Sequence, residues 1–356
     1  AGIISPWNYP LILTVSPLVE ALLAGNTVVL KPSEHTPLTT QLLKRVWDES
    51  TERPDLFQPG YGAGEIGNAL VTSSFSDVIC FTGSTAIGRK IAEACAPMFK
   101  PVILELGGKD PMIILEDADI DRSVDAAIWG GLSNAGQTCI SVERIFAHEK
   151  VYPEVVEKLK REIQTLSSGK GDTPIGAISV DVSLEKIRDQ VSEAKNNSDV
   201  FEGNADEGRF IPPCLVVNPP FKAKILQEET FGPVMTIHPF QSDKEAVELA
   251  NKTGYGLSAS IFGKNQRRMK AISRRIQAGV VSINDVLTYY GIADLPFGGM
   301  GLSGIGKVHG KEGLRAFSRQ KSYMNNRFSL KSEFWWYKRS EKFGQVLRKW
   351  IKWQYS

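Results

Sequence analysis

Apolar residues occur at two alternating spacings along the first third of the chain, and the pattern predicts strands and helices in turn. Short continuous apolar runs, which are typical of buried strands, lie at 27–30, 77–81 and 101–106. Apolar residues at helical spacing lie at 17–24, 37–47 and 86–97. Ser16 is the predicted N-cap of the first helix, with Pro17 in its first turn. Strands that alternate with helices favour a doubly wound parallel sheet, so the predicted fold class is α/β.

A second α/β region begins near Gly107. Residues 111–115 predict a strand, and a helix from about Ile120 follows it. The aspartates ahead of this helix are interpreted as its cap, because Arg122 stands where an EF-hand calcium loop requires glycine.

Residues 334–356 differ from the rest in composition, since they hold four of the seven tryptophans. A helix from about Ser340 would carry on its apolar face Phe343, Val346, Leu347, Trp350 and Ile351, and largely on its other face Lys342, Arg348, Lys349 and Lys352. A basic amphipathic helix with tryptophans is typical of proteins that lie on a membrane surface, and this one is too short and too charged to cross a bilayer. The alternative is packing on a neighbouring subunit or over the mouth of a substrate tunnel.

Composition and charge narrow the class of protein. The chain has 356 residues, 42% of them hydrophobic, and a net charge of +2, so nothing global indicates binding to nucleic acid. The four cysteines form no C-x-x-C pair and the four histidines show no ligand spacing, so no metal site is predicted. Few, widely spaced cysteines favour a reducing compartment, so we expect a cytoplasmic protein. Peripheral association with a membrane is the open alternative. No signal peptide is visible, and Ala1 in place of Met indicates that an N-terminal part is missing.

Cys139 is a candidate nucleophile. Small and polar residues lead into it from Asn134, and such a loop can leave a sulfur accessible beside free backbone N–H groups. The alternative is a buried structural cysteine, which is the commoner environment and is the interpretation preferred for Cys80, Cys95 and Cys214.

Three strand ends carry further candidates. Glu105 precedes two glycines, and a carboxylate at the carboxyl end of a parallel strand could act as a general base. Gly83 and Ser84 open a helix whose N-terminus suits a phosphate. Lys31 and Glu34 could bind ribose hydroxyls. Taken singly, each is better explained as an ordinary surface residue or turn.

Seven short motifs occur in a fixed order along the chain. They are Ser5-Pro6-Trp7-Asn8-Tyr9-Pro10, Lys31-Pro32-Ser33-Glu34, Phe81-Thr82-Gly83-Ser84, Glu105-Leu106-Gly107-Gly108-Lys109, Gly136-Gln137-Thr138-Cys139, Glu228-Glu229-Thr230-Phe231-Gly232-Pro233 and Leu295-Pro296-Phe297-Gly298-Gly299. In this order they resemble the NAD(P)-dependent aldehyde dehydrogenase superfamily, from Ile3 to about Gly313. The resemblance implies a Rossmann-type parallel-sheet cofactor domain at 1–106, lacking its N-terminal part, an α/β catalytic domain at 107–310, and a C-terminal segment at 311–356.

The resemblance also implies roles for individual residues. Cys139 would be the nucleophile that captures the aldehyde, Asn8 would hold the oxyanion, and Glu105 would activate the water that hydrolyses the thioester. The implied cofactor contacts are Ile4, Ser5, Trp7, Lys31, Ser33, Glu34, Gly83, Ser84, Gly88, Leu106, Gly107, Glu229 and Phe231.

We therefore expect the protein to oxidise an aldehyde to the carboxylic acid. The expected aldehyde is aliphatic, and a long-chain aldehyde is one candidate. Glu105 favours water over coenzyme A as acyl acceptor, and Glu34 favours NAD, with NADP as the alternative. The rival hypotheses are an acyl-transferring semialdehyde dehydrogenase and a non-catalytic structural or binding member. A homodimer or homotetramer is expected by family analogy. Thr230, where the family commonly has Ile, is expected to be tolerated.

Overall fold

The computed structural model describes residues 1–328, 333, 335–337 and 341–355. The chain divides into two compact units, Ala1–Ser318 and Arg319–Ser356. The helices of the first unit are α1 (Ile12–Leu23), α2 (Pro37–Ser50), α3 (Gly64–Thr72), α4 (Thr85–Cys95), α5 (Ile120–Leu132), α6 (Tyr152–Thr165), α7 (Asp181–Lys195), α8 (Lys224–Gln227), α9 (Asp243–Ala250), α10 (Gln266–Ser273) and α11 (Gly310–Ala316). Its strands are β1 (Gly2–Ile4), β2 (Val28–Lys31), β3 (Phe57–Pro59), β4 (Ile79–Thr82), β5 (Val102–Glu105), β6 (Asp110–Ile114), β7 (Val142–His148), β8 (Ser167–Ser168), β9 (Asp199–Glu202), β10 (Asn204–Ala205), β11 (Cys214–Val217), β12 (Val234–Phe240), β13 (Tyr255–Gly256), β14 (Ser258–Phe262), β15 (Val280–Ile283), β16 (Met300–Gly301) and β17 (Gly304–Ile305).

The first sheet has the order β17-β5-β4-β1-β2-β3, with every pair parallel except β17 against β5. The chain runs outward from β1 to β3 and then crosses back to β4 on the other side of β1. In such a doubly wound sheet the carboxyl ends of the two strands at the reversal leave a crevice between them. That crevice therefore lies beyond Ile4 of β1 and Thr82 of β4.

The second sheet has the order β15-β14-β6-β7-β12-β11-β9 and is parallel except for β9. Its central strands are buried on both faces, as in β6, where every residue is buried. Helices cover both faces, and α5 contributes Val124, Ala127 and Leu132 to the core. The predicted α/β fold class is confirmed, whereas the boundaries near 106 and 310 stay predictions.

The prediction that Ser16 caps the first helix is wrong, because α1 begins at Ile12 and encloses Pro17. Backbone bonds from Leu13 N to Tyr9 O and from Val15 N to Leu11 O extend the helix upstream of the proline. The prediction that an aspartate caps the helix from about Ile120 is confirmed. Asp119 is the N-cap of α5 and accepts a hydrogen bond from Arg122 N.

The second unit contains one helix among its described residues, α12 (Glu341–Gln354). The predicted starting points Ser340 and Phe334 lie outside the described residues. Within the described ranges, no helix combines the length and the apolar character needed to cross a membrane.

Candidate active site

A cavity of about 550 Å³ opens at the switch point of the first sheet. Seven predicted cofactor residues line it, namely Ile4, Ser5, Trp7, Lys31, Ser33, Glu34 and Gly83. Its volume lies in the range of small-molecule sites. Lys31 Nζ donates to Glu34 Oε2 at 2.6 Å, and the two residues form an ion pair at the cavity wall. Burial is the largest single influence on the pKa of Glu34 and acts to raise it. The hydrogen bond and charge of Lys31, a backbone hydrogen bond and the charge of His35 together outweigh burial and hold that pKa below its usual value.

The opposite wall of this cavity comes from α3, which sequence reasoning missed. Gly64 and Gly67 line the cavity, and Gly62 takes a φ of +148° in the turn before the helix. Residues 62–67 read Gly-Ala-Gly-Glu-Ile-Gly, so a G-x-G-x-x-G pattern between a strand and a helix was the available signal.

The start of α4 lies where this cavity meets a second one. Ser84 is the N-cap of α4, and its hydroxyl accepts a hydrogen bond from Ile87 N at 3.4 Å. Free N–H groups at a helix N-terminus favour an anion there. Gly88, also predicted to contact the cofactor, is not among the residues that line either cavity. A Cβ on Gly88 would lie 2.4 Å from Leu106 Cδ2, so this glycine lets α4 approach β5 closely.

The second cavity, of about 270 Å³, brings the predicted catalytic residues together. Asn8, Glu105 and Cys139 line it, together with the predicted cofactor residues Ser84, Leu106, Gly107, Glu229 and Phe231. Trp7 and Gly83 line both cavities, so the two adjoin. The first sheet supplies Glu105, and the loop before β7 of the second sheet supplies Cys139.

The loop before Cys139 has an unusual backbone. Asn134, Ala135 and Gly136 adopt φ values of 53°, 56° and 70°, which is left-handed for three successive residues. A Cβ on Gly136 would lie 2.0 Å from Gly232 O, so no other residue fits there. Likewise, a Cβ on Gly108 would lie 2.3 Å from Cys139 O. Close backbone contacts therefore hold the half-buried sulfur in one place.

Residues after β1 fasten this loop to the first sheet. Asn8 Nδ2 donates to Gln137 O at 2.9 Å, and Asn134 Nδ2 donates to Asn8 O at 3.0 Å. The hydroxyls of Tyr9 and Thr138 lie 2.9 Å apart. The Asn8 amide therefore lies beside the cysteine loop.

Glu105 is 5% exposed, and within the described residues neither carboxylate oxygen has a hydrogen-bond partner. Burial raises its pKa well above the usual value, and Lys307 opposes that shift. Burial also raises the pKa of the Cys139 thiol, with further contributions from Glu229 and Asp110. A cavity of about 10 Å³ lies against Glu105, Cys139 and Tyr290, and this volume is about that of one water molecule.

Glu229 and Phe231 line the second cavity beside Trp7. Gly108 N donates to Glu229 Oε1 at 3.1 Å, and the Trp7 and Phe231 rings meet edge to face at 5.7 Å. Burial raises the pKa of Glu229 to about 7. Lys186 of α7 lines the same cavity and lowers that pKa, a cation that sequence reasoning missed because it lies on a helix without a recognisable motif.

A buried network of hydrogen bonds holds the segment that carries Glu229 and Phe231. The Lys109 ammonium pairs with Glu143 and donates to Thr230 Oγ1 at 2.9 Å. The Glu143 carboxylate also accepts from the N–H groups of Thr230 and Phe231. This explains the backbone of Phe231, which is held at a φ of 57°.

The other three cysteines and the possible metal ligands do not form a further site among the described residues. Cys80, Cys95 and Cys214 are buried and unbridged, in agreement with their structural interpretation. Among the residues that the structure describes, no cluster of three or more His, Cys, Asp or Glu could hold a metal ion.

Comparison with known proteins identifies the family. A family model described as "Aldehyde dehydrogenase family" matches residues 1–323. The chain is 37% identical over 343 residues to 4,4'-diapolycopene aldehyde oxidase of Methylomonas sp, covering 94% of this chain and 64% of that protein. It is 35% identical over 336 residues to a putative succinate-semialdehyde dehydrogenase [NADP(+)] of Mycolicibacterium smegmatis, covering 92% and 65%.

Solved structures agree. The chain resembles an aldehyde dehydrogenase from Bacillus cereus in its NAD+ complex, with a TM-score of 0.85 and 34% identity, covering 89% of this chain and 66% of that one. The chain thus spans about two thirds of the length of the relatives that it matches. The chain belongs to the aldehyde dehydrogenase family.

Proposed function

We propose that the protein oxidises an aldehyde to the carboxylic acid with NAD, using Cys139 as nucleophile and Glu105 as base. One observation carries the proposal: Cys139, Glu105 and Asn8 line a single cavity that adjoins the cavity at the switch point. A nucleophile that is also a good leaving group, together with a separate base, is what covalent capture and hydrolysis require.

In the first half-reaction, Cys139 Sγ adds to the aldehyde carbon and forms a thiohemiacetal. Asn8 Nδ2 has a second hydrogen besides the one given to Gln137 O, and with the Cys139 backbone N–H it stabilises the developing oxyanion. When bound, the oxidised nicotinamide supplies a hydride acceptor, so that Cys139 is left carrying a thioester.

In the second half-reaction, Glu105 removes a proton from water, and the water oxygen attacks the thioester carbon. The C–S bond breaks, and the acid leaves while Cys139 departs as thiolate. The unpaired oxygens of Glu105 and the water-sized space beside Cys139 support this role. Because burial raises the pKa of both Glu105 and Cys139, we expect the rate to rise with pH as these two groups lose their protons.

NAD is the proposed cofactor, with NADP as the alternative. The residues of the first cavity fit a dinucleotide: Lys31 and Glu34 suit ribose hydroxyls, and the α4 N-terminus suits the pyrophosphate. The Glu34 carboxylate would repel a 2′-phosphate. The relatives include both types, one named for NADP(+) and one solved with NAD+.

The test is NADH absorbance on adding straight-chain aldehydes of increasing length to the full-length protein, with NADP in parallel. Formation of NADH and the free acid, with kcat/KM rising along the series, is expected for a long-chain aliphatic substrate. The name of the Methylomonas relative, an oxidase of a polyene aldehyde, supports a long apolar substrate. No reduced cofactor with any aldehyde would overturn the proposal and favour a non-catalytic role.

An acyl-transferring enzyme is the rival within catalysis, and product analysis separates the two. Coenzyme A should leave the product as free acid, because Glu105 is positioned to activate water. We also propose a homodimer or homotetramer, for which light scattering after size exclusion should give two or four times the chain mass.

We further propose that α12 lies on an anionic membrane surface. Val346, Trp350, Ile351 and Trp353 of this helix are all more than two fifths exposed, and none of its described residues is buried. Its other face carries Lys342, Arg348, Lys349 and Lys352 against the single acid Glu341. Each basic residue near an anionic surface contributes about 1 kcal/mol of binding, and tryptophans favour the headgroup region.

Co-sedimentation with phosphatidylcholine vesicles, with and without phosphatidylserine, tests this surface. Binding should need phosphatidylserine, weaken in high salt, and be lost in Trp350→Ser/Trp353→Ser and in Lys349→Glu/Lys352→Glu. Phe75→Ser and Lys264→Glu/Arg267→Glu, which change exposed residues elsewhere, should bind normally. Unchanged binding of the α12 variants, or a loss of oligomerisation in place of vesicle binding, would contradict the membrane assignment.

A further inference from the structure

The surroundings of Glu105 include a cation that the sequence motifs do not identify. Strand β17 pairs antiparallel with β5, and Gly304 lies opposite Glu105. Lys307 follows two residues after β17. Because β17 runs from Glu105 back towards Leu104, the Lys307 backbone lies away from the end of β5, and only its side chain can approach the carboxylate.

Gly298 separates the two side chains. The position that a Cβ on Gly298 would occupy lies 2.7 Å from Glu105 Oε1 and 3.0 Å from Lys307 Cδ. The oxygen and the methylene are therefore less than about 6 Å apart. An ammonium brought to a similar distance would stabilise the carboxylate. The half-buried Lys307 ammonium donates to Gly298 O, and it lies only two rotatable bonds beyond Cδ.

We infer that Lys307 is a positioning residue for the hydrolytic step, whose ammonium supplies the counter-charge that lets Glu105 exist as a carboxylate. When Glu105 is protonated, the ammonium is bound to Gly298 O. When Glu105 ionises, rotation about the end of the side chain brings the ammonium towards an otherwise unpaired oxygen. This inference rests on the proposed role of Glu105 as base.

Among the residues that the structure describes, the other titratable groups around Glu105 give it no compensating positive charge. They are Glu20 of α1, Cys80 of β4, Cys139, and Tyr290 before β16. All of these are neutral or negative when they titrate. Burial raises the pKa of Glu105, Lys307 lowers it, and Glu20 raises it further. Without Lys307, the base would carry its proton to a higher pH.

The experiment measures hydrolysis of p-nitrophenyl acetate by the full-length protein as a function of pH, since this reaction uses acylation and deacylation without cofactor. Lys307→Met should slow deacylation about tenfold near neutral pH and move the acidic limb of its pH profile upward by about one unit, because an opposite charge has been removed. Lys307→Arg should keep the wild-type limb. Lys311→Met, an exposed lysine of α11, is the matched control and should change nothing.

A merely structural role would lower the rate equally at every pH, and a Lys307→Met profile that superimposes on the wild type after scaling would overturn the inference. Thermal unfolding of each variant identifies any that fail to fold, and Lys307→Arg then decides the question. Wild-type protein that reduces no NAD with any aldehyde would instead reject the proposed function, so the two failures are distinguishable.

Discussion

The buried pair Lys109–Glu143 and the buried Glu105 differ in their hydrogen bonding, although Glu105 and Lys109 are only four residues apart in sequence. Lys109 and Glu143 are both buried, and the Lys109 ammonium and both Glu143 oxygens have protein partners. Glu105 is also buried, yet neither of its oxygens has one. A buried ionisable group without partners is costly, because desolvation is not offset.

The difference in hydrogen bonding indicates that Glu143 supports the structure, whereas Glu105 is free to take part in chemistry. The carboxylate of Glu143 is occupied by the backbone of Thr230 and Phe231 and is unavailable to a substrate. The carboxylate of Glu105 is available because nothing in the described chain uses it. Four predictions test this comparison.

The largest effect is expected at Cys139. Cys139→Ser should reduce aldehyde oxidation by at least about 10³-fold, because the alcohol is a poorer nucleophile and leaving group. NAD binding, measured by titration calorimetry, and the unfolding midpoint should stay as in the wild type. Residual turnover near the wild-type rate would exclude Cys139 as nucleophile.

Lys109→Met should destabilise the first unit by about 3–5 kcal/mol, because it leaves Glu143 buried without its counter-ion. Chemical denaturation gives the free energy of unfolding. Arg53→Met, which removes the exposed pair with Asp55, is the control and should leave the midpoint unchanged. An equally stable Lys109→Met variant would mean that the network is not supporting the loop at Phe231.

Glu105→Gln should behave in the opposite way to Lys109→Met. Turnover should fall about 10²–10³-fold, because the base for hydrolysis is gone, while one equivalent of NADH still forms in a burst. Stopped-flow absorbance checks the burst, and the unfolding free energy should not decrease. A loss of stability like that of Lys109→Met would remove the distinction between the two groups.

Glu20 lies between the two cases and should give the smallest effect. Its Oε1 accepts from His309 N at 2.6 Å, whereas Oε2 is unpaired, and burial raises its pKa from 4.5 to about 7. Since the folded-state pKa is the higher one, the stability contributed by the protonated form is fully present below pH 4.5 and is lost as pH rises to about 7. Glu20→Gln should therefore be more stable than wild type by about 1 kcal/mol above neutrality and equal to it in acid. Thermal melts across pH measure this, and parallel curves would contradict it.

Much of the fold is predictable from local pattern. The strands at Val28–Lys31, Ile79–Thr82 and Val102–Glu105 lie within one or two residues of the apolar runs that predicted them. Their alternation with helices suffices to indicate a doubly wound sheet. The start of α1 was missed because a proline inside a helix resembles a proline in its first turn, and only the upstream bonds to Tyr9 and Leu11 distinguish them.

The candidate site was predictable where short motifs carry it. Cys139, Glu105 and Asn8 were identified from their motifs, and the structure brings them to one cavity. Lys186 and Lys307 were not identified, because each approaches the site from a distant part of the chain. Gly88 stays a predicted cofactor contact, and its close approach to Leu106 was not foreseen. Nearness between elements depends on packing, which no local spacing encodes.

The hydrogen bonds from Asn8 and Tyr9 to the cysteine loop have a consequence for how the protein fails. They join the end of one sheet to the nucleophile carried by the other, across 129 residues of sequence. A small slippage between the two layers would separate the sulfur from the amide and from Glu105 while leaving both sheets intact. We therefore expect activity to be lost at a lower denaturant concentration than the circular dichroism signal of the protein. The loss of activity would then measure the separation of the two sheets.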